Sequence, residues 1–342
     1  DLARQLASQL TGADPPSPDG WDDRRARPST QLDFRRDSGP MALRFVFHYP
    51  ETRGSEGDML DSGELAGVAR AAEAAGFDAL ALTEHPVPGA RWLENGGHQS
   101  LDPFVALGFA AAATDRLRLL THLALAPYRN PFLLAKAAAT VDKLSGGRFI
   151  LGLGAGYQKS EFFALGVSLD ERGALFDEVL DCLPLHWSGE PFSYQGLHFD
   201  ARDVVALPRP VQDPIPIWIG GNSKAARRRV VERASGWMPM IGSAELARTA
   251  NTSTLASIDD VAVAIAELEA EAERVGRTAP IDHLTSYSDP GLASPEADVE
   301  RHRHELGRIE EAGVTHVLVS HDRAEPAIVL DWLAAFGATY IS

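Results

Sequence analysis

From Leu43 to the C-terminus, short uninterrupted apolar runs alternate with longer stretches whose apolar positions recur every three or four residues. Uninterrupted runs read as strands buried on both faces, and the longer spacing reads as helices with one face on a core. The runs fall at 43–49, 77–83, 117–124, 149–153, 215–219, 236–240, 282–287 and 314–320. Between them the spacing predicts helices over 65–75, 103–113, 132–144, 171–186, 223–234, 258–275, 295–312 and 326–336. Asn130-Pro131 offers an N-cap and a first-turn proline to one of these helices, and Gly146-Gly147 ends it. Eight strand–helix pairs with right-handed crossovers predict an α/β fold, a closed (β/α)8 TIM barrel rather than an open sheet. Residues 189–212, rich in aromatics, Gly and Pro, break the rhythm and read as a hairpin-like insertion after the fourth strand.

Residues 1–40 follow neither pattern. Asp, Arg, Pro and Ser dominate them, so they are expected to be a poorly ordered leader, with a single barrel domain over 41–342. A content of 44% apolar residues is enough for one large core. The net charge of −16 argues against a broad nucleic-acid surface, so an anion must be held by a local site. No apolar run reaches membrane-spanning length and the first residues carry no export pattern, which makes a cytoplasmic protein without a membrane partner the expectation. Cys182 is the only cysteine, which excludes an intramolecular disulfide and a thiolate cluster and leaves it as a small core hydrophobe.

In a (β/α)8 barrel the chemistry gathers at the carboxyl ends of the strands. Reading those ends in order gives His48 and Tyr49, then Glu84 and His85, Thr121 and His122, Gly154-Ala155-Gly156-Tyr157, and Gly220-Gly221-Asn222-Ser223. One such histidine reads better as a core or rim residue satisfied by a backbone partner; three on neighbouring strands point to a site. At 220–223 two glycines and an N-capping Asn222 open a helix, whose free N–H groups and positive dipole end suit an anion. An ordinary capped helix is the plainer alternative. Arg227, Arg228 and Arg229 read as a solvated helix face with at most one side chain turned inward. His302 and His304, two apart on a charged helix, diverge by about 200° and read as surface. No metal is expected. A metal-dependent hydrolase would use the three histidines, but the first strand offers Phe47-His48-Tyr49 instead of a His-x-His pair, and no carboxylate stands at the last strand end before Asp322.

Three segments carry a resemblance: 145–156 (Ser-Gly-Gly-Arg-Phe-Ile-Leu-Gly-Leu-Gly-Ala-Gly), 126–131 (Ala-Pro-Tyr-Arg-Asn-Pro), and Pro208-Arg209-Pro210-Val211-Gln212 leading to 217–222. In order and spacing, from about Leu43 to the C-terminus, they resemble the luciferase-like monooxygenase superfamily and its branch that uses the deazaflavin coenzyme F420. The resemblance implies a barrel with an insertion, usually a homodimer, and a flavin or deazaflavin across the strand mouth with its phosphate on the fourth and fifth strand ends. Carried over by position, Glu84 and His85 match the acidic residue and histidine beside the ring. His85 becomes the candidate acid, with Glu84 holding the cofactor or fixing the imidazole tautomer. Thr121 and His122 fall where that branch often has a bulge with a non-proline cis peptide supporting the ring, which makes both of them cofactor-binding residues. His48, Gly154, Ala155, Gly156, Tyr157, Gly220, Gly221, Asn222 and Ser223 become cofactor contacts. Tyr157 stands where sugar-phosphate dehydrogenases of the branch have a glutamate, which argues against that substrate. The implied activity is hydride transfer between F420 and a small organic substrate. An FMN- and oxygen-using monooxygenase of the same fold is the alternative. Of the 32 basic residues 28 are arginine, typical of GC-rich actinobacteria in which F420 is common.

Overall fold

The computed structural model describes residues 43–341 except 52, 55–56, 59, 61–63, 250–251 and 322–324. The expected leader, residues 1–40, lies outside the described residues, as does Asp322. Eight strands form the frame: β1 (Arg44–His48), β2 (Ala79–Leu82), β3 (Arg118–Thr121), β4 (Phe149–Gly154), β5 (Ile217–Gly220), β6 (Gly236–Met238), β7 (Asp282–Ser286) and β8 (His316–Val319). Each pairs in parallel with the next, and β8 pairs with β1 to close the barrel. Outside run the helices α1 (Leu65–Ala74), α2 (Pro103–Ala113), α3 (Pro131–Ser145), α4 (Arg172–Trp187), α5 (Lys224–Arg233), α6 (Ile258–Arg274), α7 (Val299–Glu311) and α8 (Pro326–Phe336). The eight-fold alternation expected from the apolar pattern is therefore the observed fold.

Strand side chains alternate between two cores. Val46, Ala79, Ala81, Leu120, Ile150, Trp218, Met238, Leu284 and Leu318 fill the barrel, one or two from each strand. Their neighbours, such as Phe45, Phe47, Leu80, Leu119, Phe149 and Val317, lie under the helices. Because both faces are covered, the strands show no polar alternation in sequence.

The segments that carried the resemblance turn out to be structural ties. Asn130 accepts from the N–H groups of Phe132 and Leu133 to start α3, and Gly146 ends it at φ +70°. Arg148, buried, donates to the carbonyls of Ala111, Thr114, Leu117 and Ser145 and to Thr114 Oγ1. It thereby satisfies carbonyl groups left open at the end of α2. Asp142, also buried, accepts from the N–H of Val211 and Gln212 and from the Gln212 amide, pinning the chain as it returns from the insertion. That insertion is a hairpin of strands Phe192–Gln195 and Asp200–Val204.

One detail corrects the sequence reading. His302 is fully buried and its Nδ1 lies 2.7 Å from Tyr287 Oη, because 302, 306 and 309 share the inward stripe of α7. Only His304 is at the surface. Of the three consecutive arginines, Arg229 does turn inward, onto Asp177 and the Gly173 carbonyl. Cys182 is buried, and burial pushes its thiol up to about 12. Among the described residues no helix is long and apolar enough to cross a membrane.

Candidate active site

His85 follows β2, in a cage of aromatic and polar side chains. Trp92 and His98 pack on its ring at centroid distances of 4.7 and 4.9 Å. Its backbone N–H donates to Ser100 Oγ. The side-chain amide of Gln158 sits 3.1 Å from His85 Nδ1, and Glu161 Oε1 sits 3.4 Å from the same nitrogen. Both partners come from the fourth strand end: Gln158 closes the glycine loop after β4, and Glu161 lies in the short helix Lys159–Ala164. Glu161 has no solvent exposure. Its Oε2 accepts from Tyr128 Oη at 3.0 Å. Burial and the Glu161 charge hold the Tyr128 phenol above its ordinary range, and the same two causes raise Tyr157.

A second cluster adjoins the first through His98. His48, at the end of β1, places Nε2 2.8 Å from Thr83 Oγ1, and its ring meets His122 edge-on at 5.6 Å. Burial, then the neighbouring His122 and His98, push His48 down to about 3. Burial alone takes His122 down to about 4. Both are therefore neutral at physiological pH and able to accept as well as donate. Between His48 and His98 lies Glu51, whose Oε2 approaches each ring to 4.0 Å and accepts from the Thr83 N–H. It is 2% exposed, and burial raises it to about 8, against the hydrogen bonds from Thr83 and Leu101.

Glu84 and the His85 imidazole, expected to work together, are not brought together. Glu84 Oε1 accepts from Arg129 Nε and Nη2 at 3.0 and 2.5 Å, and Oε2 accepts from the Leu125 N–H. Arg129 also reaches Asp102, the N-cap of α2, and lies over the Phe104 ring. Burial raises the Glu84 carboxyl in spite of that arginine. Successive side chains at a strand end diverge, so Glu84 ties β2 to the loop after β3 while His85 faces the β4 end. Thr121 is likewise committed: its hydroxyl donates to the Gly152 carbonyl and accepts from the Gly152 N–H. The cis peptide of the β3 bulge joins His122 to Leu123.

The glycine-rich ends of β4 and β5 are neighbours, as expected. Gly154 and Gly220 both face Leu123: a Cβ on either would stand 3.0 or 2.5 Å from its Cδ1. Gly156, at φ +75°, lies against Phe162, and Ala155 and Tyr157 are half-buried beside it. Gly221 differs. It adopts φ +102°, and a Cβ there would meet nothing closer than 3.8 Å. Asn222 is not the cap of the following helix. Ser223 is, its hydroxyl accepting from the Ala226 N–H. The buried Asn222 side chain instead donates to the carbonyls of Met240 and Ser253 and accepts from the Met240 N–H, tying the β5 end to the loops beyond β6. The N–H groups of Gly221 and Asn222 donate to the Met238 carbonyl and Thr252 Oγ1, and that of Ala226 to Ser223 Oγ, so what the first turn of α5 offers an anion beside the open glycine is its start at Lys224 and Ala225, with the dipole's positive end behind it.

Sequence reasoning missed Glu51, Trp92, His98, Gln158 and Glu161. Glu161 had one available signal, a lone acid between Ser160 and the apolar Phe162-Phe163 one turn beyond a glycine loop. Among the described residues no three His, Cys, Asp or Glu side chains are placed to share a metal ion.

Residues 44–318 match the model of the luciferase-like monooxygenase family. The chain is 33% identical over 186 residues to an F420-dependent glucose-6-phosphate dehydrogenase of Nakamurella multipartita, covering 53% of each. It spans about two thirds, 66%, of the length of uncharacterised mycobacterial proteins to which it is 34% identical. Among solved structures it resembles an F420-dependent secondary alcohol dehydrogenase in complex with an F420–acetone adduct, with a TM-score of 0.68 and 17% identity over 87% of this chain and 98% of that one. The monooxygenase RslO1 of Streptomyces bottropensis gives the same TM-score at 19% identity, over 87% and 98%. At these identities the two structures speak for the barrel alone.

Proposed function

This chain belongs to the luciferase-like monooxygenase family, and we propose that it is an oxidoreductase moving a hydride between coenzyme F420 and a small organic substrate. The observation that supports this most is an anion cradle at β5 on the same rim as a buried, proton-handling histidine after β2. Gly221 is open where Gly220 is filled, and α5 begins beside it with the Lys224 and Ala225 N–H groups, which have no intrahelical partner, available for a phosphate. Those residues would hold the cofactor's phosphate, and His48, His85, His122 and Tyr157 are the groups left for its ring. Bound there, the deazaflavin supplies the two-electron hydride chemistry. His85 takes up or returns the proton that accompanies it, and Trp92, His98 and Gln158 wall the ring off from bulk water.

F420 carries an acidic tail beyond its phosphate, which selects for free cations near the mouth. Arg227 and Arg228 are engaged by Glu267 and Asp177, and Arg129 by Glu84 and Asp102. Exposed Arg91, in the short helix Ala90–Glu94, is the remaining candidate with a described side chain. The same reading includes a homodimer: Val105 and Phe109 of α2 and Leu133 of the adjacent α3 are 74%, 57% and 70% exposed. A flavin-using monooxygenase is the second reading, because the cradle serves an FMN phosphate equally well. Titrating the apoprotein with F420 and with FMN at two salt concentrations tests the choice. F420 is expected to bind more tightly, with an affinity that falls more steeply with salt because more charge is engaged. Micromolar FMN binding without measurable F420 binding would overturn it in favour of the monooxygenase.

A further inference from the structure

The His85 ring nitrogen that faces the protein has two partners of unequal need. Gln158 presents an amide at 3.1 Å, and an amide can turn to offer either N–H or C=O. Glu161 presents Oε1 at 3.4 Å; this oxygen is buried and has no hydrogen bond, while Oε2 already accepts from Tyr128. A carboxylate oxygen only accepts, so the donor within reach that can satisfy it is an N–H on His85 Nδ1. Leaving a buried neutral donor unpaired costs about 1–3 kcal/mol and a charged group more. The amide can avoid that cost by turning and the carboxylate cannot. The balance therefore favours the proton on Nδ1, directed to Glu161.

We propose that Glu161 is the positioning residue for His85, holding the ring as the Nδ1–H tautomer so that Nε2 is free to take up and return a proton. Nε2 makes no hydrogen bond among the described residues, so a bound molecule meets a lone pair there. Proton uptake forms one N–H bond at Nε2 as one X–H bond of the substrate breaks. The ring goes from neutral to cationic with Glu161 already at its other nitrogen, and the hydride's two electrons leave separately to the cofactor. A ring protonated on Nε2 in its neutral form could not accept there at all. The remaining groups around His85 do not compete for Nδ1: His98 and Trp92 meet the ring by their faces and edges, Ser100 Oγ accepts from the backbone, and Tyr128 and Tyr157 stay protonated phenols.

The catalytic meaning of this tautomer rests on the oxidoreductase reading, but the tautomer itself is measurable without any cofactor. Nitrogen-15 and proton NMR of the His85 ring in the apoprotein, assigned with His85→Ala, reads which nitrogen carries the hydrogen. The wild type is expected to show Nδ1–H with a hydrogen-bonded, downfield proton. Glu161→Leu, which leaves no acceptor at that position, should lose that resonance and shift the ring to Nε2–H, whereas Gln158→Leu should keep it. A purely packing role for Glu161 would leave the tautomer untouched in its variant. An Nε2–H ring in the wild type, or an unchanged Nδ1–H ring in Glu161→Leu, would overturn the proposal, and the wild-type spectrum decides it even where Glu161→Leu does not fold. Failure of F420 binding would instead count against the cofactor reading and leave this result standing.

Discussion

Glu51 makes the pH dependence of stability a direct probe of the mouth. Burial between His48 and His98 raises its carboxyl from 4.5 to about 8. Between those values the folded protein holds a proton that the unfolded chain has released, so stability falls as pH rises through that window. His48 and His122 act oppositely. Their folded values of about 3 and about 4 lie below the ordinary 6.5, so the unfolded chain binds the extra proton, and their contribution is complete above pH 6.5 and lost as pH falls. From about pH 7.5 upward both histidines are neutral in either state and add no slope, and below that their titration is shared by wild type and a Glu51 variant and cancels in the difference between them, which leaves Glu51 as the member of this cluster whose titration the comparison reads. One pH unit is worth about 1.4 kcal/mol, so about 2 kcal/mol of stability is lost between pH 6.5 and 8 on its account. Glu51→Gln keeps the shape and a hydrogen-bonding group but cannot ionise. Urea denaturation of wild type and variant at half-unit steps from pH 6.5 to 8 is the assay. The stability difference between the two proteins, in which all shared titrations cancel, should move by about 2 kcal/mol in favour of the variant as pH rises. A difference that stays flat would show that Glu51 is solvated and ionised in the fold, and the account of this cluster would fail with it.

Ser223→Asp separates the cap from the cradle. Aspartate caps a helix as well as serine, so the melting temperature should hold, but its charge opposes a phosphate, and cofactor affinity is expected to fall about tenfold or more; unchanged affinity by fluorescence titration would place the phosphate elsewhere. Phe109→Asp removes an exposed apolar side chain from α2 and is expected to convert dimer to monomer in light scattering without loss of secondary structure; an unaltered mass would move the interface off α2 and α3.

The barrel was legible because covering both faces of a parallel sheet leaves a mark in every strand, and eight such marks at regular spacing leave few topologies. The ends of α3 were legible for a similar reason: Asn130, Pro131 and Gly146 act on their own backbone neighbours. Contacts between distant segments were not. Glu161 meets His85 across 76 positions of sequence, and Glu84 finds its arginine 45 positions on. Adjacent letters misled in the case of Glu84-His85, since neighbours at a strand end point to different faces. They misled again at Asn222-Ser223, where either residue type can cap a helix and only the backbone decides which one does.

The glycines show how one sequence signal divides into several causes. Glycine at a strand end suggests that something approaches the backbone closely, and at Gly152, Gly154, Gly156 and Gly220 something does. At Gly152 it is the Thr121 carbonyl of the neighbouring strand, and at Gly154 and Gly220 it is Leu123, which leans on both from the β3 bulge. Gly156 is met by Phe162. Packing within the protein therefore accounts for the requirement at four positions before any ligand is considered. Leu123 also borders the apolar filling of the barrel, so it closes the floor of the mouth beneath the two strand ends. Gly221 alone among these combines a left-handed backbone with open space, and it stands immediately before the first turn of α5. A ligand's hold on the glycine-rich ends then reduces to one residue and one helix start. On the proposed reading, a phosphate held at Gly221 and the start of α5 would leave the cofactor's ring above Leu123.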